Sequence, residues 1–506
     1  MPVDPRTPVL VGVGQFTERI DDPGYRGMSA VDLATAAVRA ALADTGAPGV
    51  AKAVDTVFAL RQFEISGPIP TPLGKSNNYP RSVMNRLGGN PARVVLEPVG
   101  GQGPQKLVTE AGNTIVAGDA DVVVIMGSEA GSTARYFANR DDKPDFSEHV
   151  DGQLEDRGHR IFSYIDAYTI QHGLTGAPVQ YGLMENARRA RHGRSVAEYR
   201  LEMAELFVPM SKVAAKNPFS SSPVERSVDE IVTLTDDNRM ICDPYPRLLV
   251  ARDQVNQGAA AVLMSVEAAT RLGVAEDKWV YLHGHSDMIE QAMLDRVDLG
   301  ASPAAVHAAR EALRVAGIGI DDIATFDLYS CFPFPVFVIC EALGIDGDDP
   351  RGLTLTGGLP YFGGPGNSYS LHGIAETVAQ MRDRPGQFGL VGANGGIMSK
   401  YSVGIYSTTP VGWRTDNCAE LKHEIDALPK VDVTKTPDGP ATIETYSVRY
   451  DWPTRTGIIV GRLAADDVRF MATTDDDDLV ALMCDGDPLG AEIFVWSTDN
   501  GNRASL

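Results

Sequence analysis

The sequence predicts an α/β chain built from two copies of one helix–strand unit, with a loop-rich stretch inserted between them and a small all-β domain at the C-terminus. Three observations lead there. Helix, glycine and strand recur twice in the same order, at an offset of about 260 to 270 residues. The 51 glycines and 32 prolines are spread through many short turns, as in chains that alternate helix with strand. After about residue 415 the helical spacing gives way to short runs of period two.

Taken in order, Val9 to Val13 is a short apolar run with no basic segment or signal core ahead of it. It reads as a first strand, and Gly12-Val13-Gly14 as the turn at its end. Ala36 to Leu42, closed by Gly46, has helical spacing, and Val54 to Leu60 reads as a strand. Gly100-Gly101-Gln102-Gly103-Pro104 opens a helix to Ala117, with Leu107, Ala111 and Ile115 on one face. Pro104 suits the first turn, where its missing N–H is not needed. The strand Val122 to Met126 follows.

Residues 131–250 are polar and irregular, marked by Asn217-Pro218-Phe219-Ser220, and read as an insertion that folds over a site. Ala259 to Met264 is the strand that returns to the first half. The second copy has Val306 to Val315 with Gly317, then Ile323 to Tyr329. Gly363-Gly364-Pro365-Gly366 follows, with a helix through Leu371, Ile374 and Val378 and a strand near Phe388 to Val391. In the tail, Tyr446, Val448 and Tyr450 alternate with polar residues, and Gly457 to Leu463, Val468 to Ala472 and Ile493 to Trp496 are short strands. Asp475 to Asp478 reads as a solvated turn without calcium-loop spacing. The expected units are 1–130 with 251–275, the loop domain 131–250, 276–414, and a β-barrel-like 415–506 of oligonucleotide-binding (OB) type.

Composition bounds the function. The 506 residues are 43% apolar and 22% charged, and the net charge of -22 disfavours a nucleic-acid surface. Residues 420–506 alone hold 17 acidic and 8 basic side chains, so the tail is better suited to docking on the main body or on a partner protein. The five cysteines are scattered without metal spacing, which points to reduced thiols, a cytoplasmic setting and no metal site. No run approaches a membrane span. His283-Gly284-His285, a pair without further ligands, reads as a strand edge.

Ala117-Gly118-Asp119-Ala120-Asp121-Val122, Asn256-Gln257-Gly258-Ala259-Ala260 and Tyr329-Ser330-Cys331-Phe332, together with the duplicated halves, resemble the thiolase superfamily over residues 6–410. The similarity is to its sterol-carrier-protein branch and, with the added tail, to the thiolase-like proteins of type 1. The resemblance implies a duplicated fold of α/β/α/β/α layers, acyltransferase chemistry on coenzyme A thioesters in lipid metabolism, and a monomer or homodimer. It implies no covalent cofactor; coenzyme A or acyl-CoA is the ligand. Family members use two cysteines and a G-H-P histidine, since a thiolate is reachable near neutral pH and an oxyanion needs donors. The matching positions here are Gly100, Ala393 and Gly364, and in the H-D-C-F box Tyr329 and Ser330 replace His and Asp.

The side chains left to act are Tyr329, as a donor to a carbonyl oxygen, Cys331, and His372, as acid or base. A Tyr329/His372 pair would suit proton transfer on a β-hydroxyacyl group. Arg188, Arg189, Arg191 and Arg194 form a basic knot where the resemblance places coenzyme A, and are expected on its phosphates. Three functions stay open: thioester binding, a lyase or condensing enzyme of altered mechanism, and a non-catalytic scaffold.

Overall fold

The computed structural model describes residues 3–67, 70–160 and 165–506. The first half runs β1 (Pro8–Glu18), α1 (Ala30–Asp44), α2 (Val50–Ala53), β2 (Thr56–Ala59), α3 (Tyr79–Arg86), β3 (Arg93–Leu96), α4 (Gly103–Ala117) and β4 (Val122–Ala130). The insertion holds α5 (Gly131–Phe137), β5 (Glu155–Asp156), α6 (Ala167–Gln171), α7 (Ala177–Arg191), α8 (Val196–Ala214), α9 (Val228–Val232), β6 (Met240–Cys242) and β7 (Tyr245–Pro246). Then β8 (Asn256–Ser265) and α10 (Val266–Leu272) rejoin the first half. The second half is β9 (Tyr281–Ile289), α11 (Pro303–Ala316), β10 (Ile323–Asp327), α12 (Pro333–Leu343), α13 (Tyr369–Asp383), β11 (Phe388–Gly395) and β12 (Lys400–Ser407). The tail adds α14 (Cys418–Asp426), β13 (Gly439–Asp451), β14 (Thr454–Leu463), β15 (Arg469–Thr474), α15 (Asp477–Asp485), β16 (Glu492–Thr498) and β17 (Gly501–Ser505).

The duplication is explicit in the sheets. One sheet has the order β1-β8-β4-β2-β3-β5 and the other β9-β12-β11-β10. Strand for strand, β1-β8-β4-β2 and β9-β12-β11-β10 share two antiparallel pairings followed by a parallel one. Between the sheets lie α4 and α13, whose Leu107, Ala111 and Ile115 share a core with Leu371, Ile374 and Val378 and with Val123, Ala261 and Val391. Helix α1 packs on the outer face of the first sheet and α11 on that of the second. Five layers result. Helices α4 and α11 close on Gly118 (φ 83°) and Gly317 (φ 71°), left-handed positions that glycine adopts without strain.

The structure corrects several local expectations. Gly12 and Gly14 lie inside β1 rather than in a turn: a Cβ on either would overlap backbone atoms of α1, so these glycines let the helix sit close on the strand. The insertion is not loop alone: among its described residues α7 and α8 are long helices. Pro178 stands in the first turn of α7, where its missing N–H is not needed, and α8 carries Pro209 inside it but is started by a capping box of Ser195 and Glu198. Asp476 caps α15 by accepting from Leu479 N at 2.9 Å, with Asp477 and Asp478 in its first turn, where carboxylates complement the helix dipole. His283 and His285 are on β9, an outer strand of its sheet, and tie down the connector to the tail through Thr409 O (2.7 Å) and Arg414 O (2.9 Å).

In the tail, β13, β14, β15, β17 and β16 pair in a ring and close a small barrel over Tyr446, Val448, Ile459, Phe470 and Val495. The hairpin β6–β7 of the insertion pairs with β13, so one sheet runs from insertion to barrel. Arg469, fully buried, is ion-paired with Glu444 and donates to Leu294 O at 2.7 Å. Ser447 Oγ donates to Asp243 O at 2.7 Å. The barrel is thus fastened to its own chain.

Candidate functional site

Three turns meet at the start of α4. Gly100, at φ 154°, donates its N–H to Asn367 Oδ1 at 2.9 Å, and Asn367 Nδ2 donates to Arg61 O at 2.6 Å. The Gln102 side chain folds back over the turn. A Cβ on Gly100 or on Gly395 would overlap Gln102 Oε1, and one on Gly101 would overlap Tyr329 Oη and lie 2.6 Å from Asn394 O. The space at the turn is therefore filled by Gln102 and Tyr329.

Tyr329 and Cys331 occupy the loop between β10 and α12. That loop is held by Asp327, whose carboxylate accepts from Leu355 N and Thr356 N, both at 2.9 Å, and which burial pushes up to about 6. Asn394 Nδ2 donates to Tyr181 Oη at 2.7 Å and faces Cys331 Sγ at 3.8 Å, while the Tyr181 ring stacks on Phe332. Burial pushes the Cys331 thiol up to about 12 and raises Tyr329 well above its usual range. Cys331 is a protonated thiol at neutral pH, the opposite of an activated nucleophile. Tyr181, Asn394, Gln102 and Asp327 join this site without having been singled out in the sequence. Asn394 had a signal, since it follows Ala393, the position matched to a family cysteine, at the end of β11; Tyr181 had none.

His372 is fully buried on α13. Its Nδ1 lies 2.7 Å from Gln15 Oε1, and Gln15 Nε2 donates to Glu376 Oε1 at 2.9 Å. The expected Tyr329/His372 pair does not form: the rings of Tyr369 and Phe362 bridge the interval, with Tyr329–Tyr369 centroids at 5.4 Å and Phe362–His372 at 5.1 Å. Burial pulls the His372 pKa down to about 3. The folded imidazole stays neutral where the unfolded one, near 6.5, takes up a proton, so its contribution is complete above pH 6.5 and lost as pH falls toward 3. The stability difference between wild type and His372→Gln is expected to shrink by about 1.4 kcal/mol per pH unit below 6.5. Urea unfolding at pH 7, 6 and 5 measures it; a pH-independent difference would contradict a neutral buried histidine.

Half of the basic knot turns inward. Arg188, buried, meets Glu341 at 2.6 Å and donates to Tyr199 Oη at 2.8 Å; Arg189, buried, pairs with Asp487 of the barrel domain at 2.8 Å. Arg191 pairs with Asp298 and Glu341, and Arg194 with Glu202. Arg188 and Arg189 are thus buried in ion pairs and withdrawn from any phosphate, whereas Arg191 and Arg194 stay at the surface beside carboxylates.

The open cations lie elsewhere. A cavity of about 1090 Å³ in the insertion is lined by Arg135, Arg226, Arg239, Arg247 and Arg252, along with Asp229, Asp237 and Asp253. Arg226 pairs with Glu230 at 3.1 Å, and Arg247 donates to Asp237 O at 3.0 Å. Burial, then Arg247, Arg135 and Arg226 close by, depress the Arg252 pKa, a field that favours an anion. The inner wall reaches the site: Ala251 N donates to Cys331 O at 3.0 Å, and Gly364 N donates to Arg252 O at 2.7 Å. Among the described residues no group of three His, Cys, Asp or Glu could hold a metal ion, and no helix is long and apolar enough to cross a membrane.

The comparisons agree with this architecture. Residues 420–500 match the family model for the thiolase-like protein type 1 additional C-terminal domain. The crystal structure of a monomeric SCP2-thiolase like protein type 1 from Mycobacterium smegmatis is 59% identical, covers 100% of both chains and superposes with a TM-score of 0.87. An acetyl-CoA acetyltransferase of Methanothermobacter thermautotrophicus is 28% identical over 45% of this chain and 60% of its own length, so the chain spans less than two thirds of that relative. Human sterol carrier protein 2 is 23% identical over 85% of this chain and 76% of its own.

Proposed function

The chain belongs to the thiolase superfamily, as an SCP2-thiolase-like protein of type 1, and on that premise we propose that it binds coenzyme A thioesters of lipid or sterol acids without acyl-cysteine chemistry. The arginine-lined cavity carries the reading. Guanidinium groups recognise phosphate by paired hydrogen bonds, and coenzyme A presents a diphosphate and a 3′-phosphate. Arg247 and Arg252 are proposed as its anchors, in place of the buried Arg188 and Arg189 of α7.

Three features argue against thiolysis. Gly100, Gly364 and Ala393 supply no side-chain nucleophile, acid or oxyanion donor, Gln102 and Tyr329 fill the turn, and Cys331 is held protonated. Calorimetry with coenzyme A and acetoacetyl-CoA tests the reading, with the mixtures examined by mass spectrometry. Wild type is expected to bind both and return them unchanged, more weakly as salt rises, and the Arg247→Ala/Arg252→Ala variant to bind at least about tenfold more weakly. Equal affinity in the double variant, or a cleaved or condensed product, would overturn it.

A further inference from the structure

We propose a second ligand site, for a small hydroxycarboxylate, in a separate cavity of about 340 Å³ between the two halves, with Arg296 as the carboxylate anchor. This site does not depend on the thioester reading.

Arg296 lies in the loop between β9 and α11, is 4% exposed and lines the cavity. Its Nε donates to Gln291 O at 3.1 Å, its Nη2 to Met398 O at 3.2 Å, and its Nη1 faces Met184 Sδ at 3.8 Å. Among the described residues it has no ion pair. The acid beside it, Glu290, is committed to the start of α11, accepting from Ala304 N at 2.7 Å and Ser302 Oγ at 3.2 Å. A buried guanidinium served by carbonyls and a sulfur is costly unless an anion joins it. The other acids on the wall do not supply that anion. Glu97 is ion-paired with Lys106 and Arg157, and Asp287 accepts from Ser402 Oγ with its pKa raised by burial.

Two more observations bear on the ligand. Gln102 and Ser399 line this cavity, and Gln102 Oε1 and Ser399 Oγ are buried atoms without a hydrogen-bond partner among the described residues. An amide oxygen accepts only, so it calls for a donor such as a hydroxyl, and Ser399 can exchange with the same group. The backbone just before Ser399 is strained: after Gly396, Ile397 and Met398 have φ of 61° and 53°, a left-handed conformation that a β-branched residue adopts only under constraint. Met398 O is one of the two carbonyls that hold Arg296. Lys106, Arg160 and Lys400 also line this cavity and add to its positive field; Arg296 is the cation on it that is nine-tenths buried, and it is joined by an acceptor and a hydroxyl.

The test is calorimetric titration of the full-length protein with 3-hydroxybutyrate, butyrate and inorganic phosphate. 3-Hydroxybutyrate is expected to bind about tenfold more tightly than butyrate, and Arg296→Met to abolish both. Gln102→Leu, which leaves the buried charge in place, guards against a misfolded Arg296 variant: it is expected to remove the preference for the hydroxyl while butyrate binding stays unchanged. Circular dichroism confirms that each variant is folded. No binding of either carboxylate, phosphate binding as tightly as 3-hydroxybutyrate, or a preference that survives Gln102→Leu would overturn the proposal.

Discussion

Gly100→Cys is expected to destabilise the protein by about 2 to 4 kcal/mol and to bring no thiolysis of acetoacetyl-CoA above background. The first part is steric. Gly100 sits at φ 154°, which side-chain-bearing residues rarely adopt, and any Cβ there overlaps Gln102 Oε1. Gly100→Ala is expected to lose as much stability, which separates the backbone cost from anything particular to a thiol. The second part is chemical. Adding Gln102→Gly opens space, yet a thiolate at this turn would still lack the donors and the second acid/base group that its reaction needs, since Gly364 and Ala393 remain and Cys331 stays protonated. Urea unfolding and a thiolysis assay on the three variants measure both parts. A Gly100→Cys protein with unchanged stability, or a Gly100→Cys/Gln102→Gly protein that cleaves the substrate, would refute the argument.

How much of this was legible in the sequence depended on how far apart the interacting residues lie. The two halves were legible because each helix and strand carries its own periodicity and its own closing glycine, as at Gly118 and Gly317. The meeting of Gly100, Tyr329 and Gly395 was legible only through the family resemblance, because nothing local ties three turns so distant in the chain. Long-range partners defeated the rest. Arg189 reads as a surface cation until Asp487, on the far side of the barrel helix, is brought against it. Arg226, Arg239, Arg247 and Arg252 are spaced among acids and look like an ordinary solvated stretch; only the fold of the insertion turns them onto one cavity. His372 has apolar neighbours in Leu371, Ile374 and Ala375, which fits either an amphipathic face or full burial. The second sheet, the central helix α4 and Gln15 of the first half decide for burial.

The duplication makes a quantitative prediction about where side chains are forbidden. In the first half, Gly12 of β1 lies under the Ala41 carbonyl and the Thr45 side chain of α1; in the second, Gly284 of β9 lies under the Ala312 carbonyl and the Ala316 side chain of α11. Two residues on, the copies diverge. Gly14 faces the Ala37 carbonyl, and a Cβ there would overlap it, whereas Ser286 donates its hydroxyl to the Ala308 carbonyl at 2.7 Å. The second helix therefore stands far enough from its strand at that point to admit a small side chain, and the hydroxyl closes the gap. Gly12→Ala and Gly284→Ala each require a helix backbone to move and are expected to cost about 3 kcal/mol or more. Ser286→Ala removes one hydrogen bond to a carbonyl and is expected to cost about 1 kcal/mol. Thermal unfolding, followed by hydrogen exchange on α1 and α11, distinguishes the cases: each glycine variant should loosen its own helix first. Loss of protection confined to the opposite half, or an alanine at Gly284 tolerated as well as one at Ser286, would mean that the close approach of helix to strand does not hold the layers together.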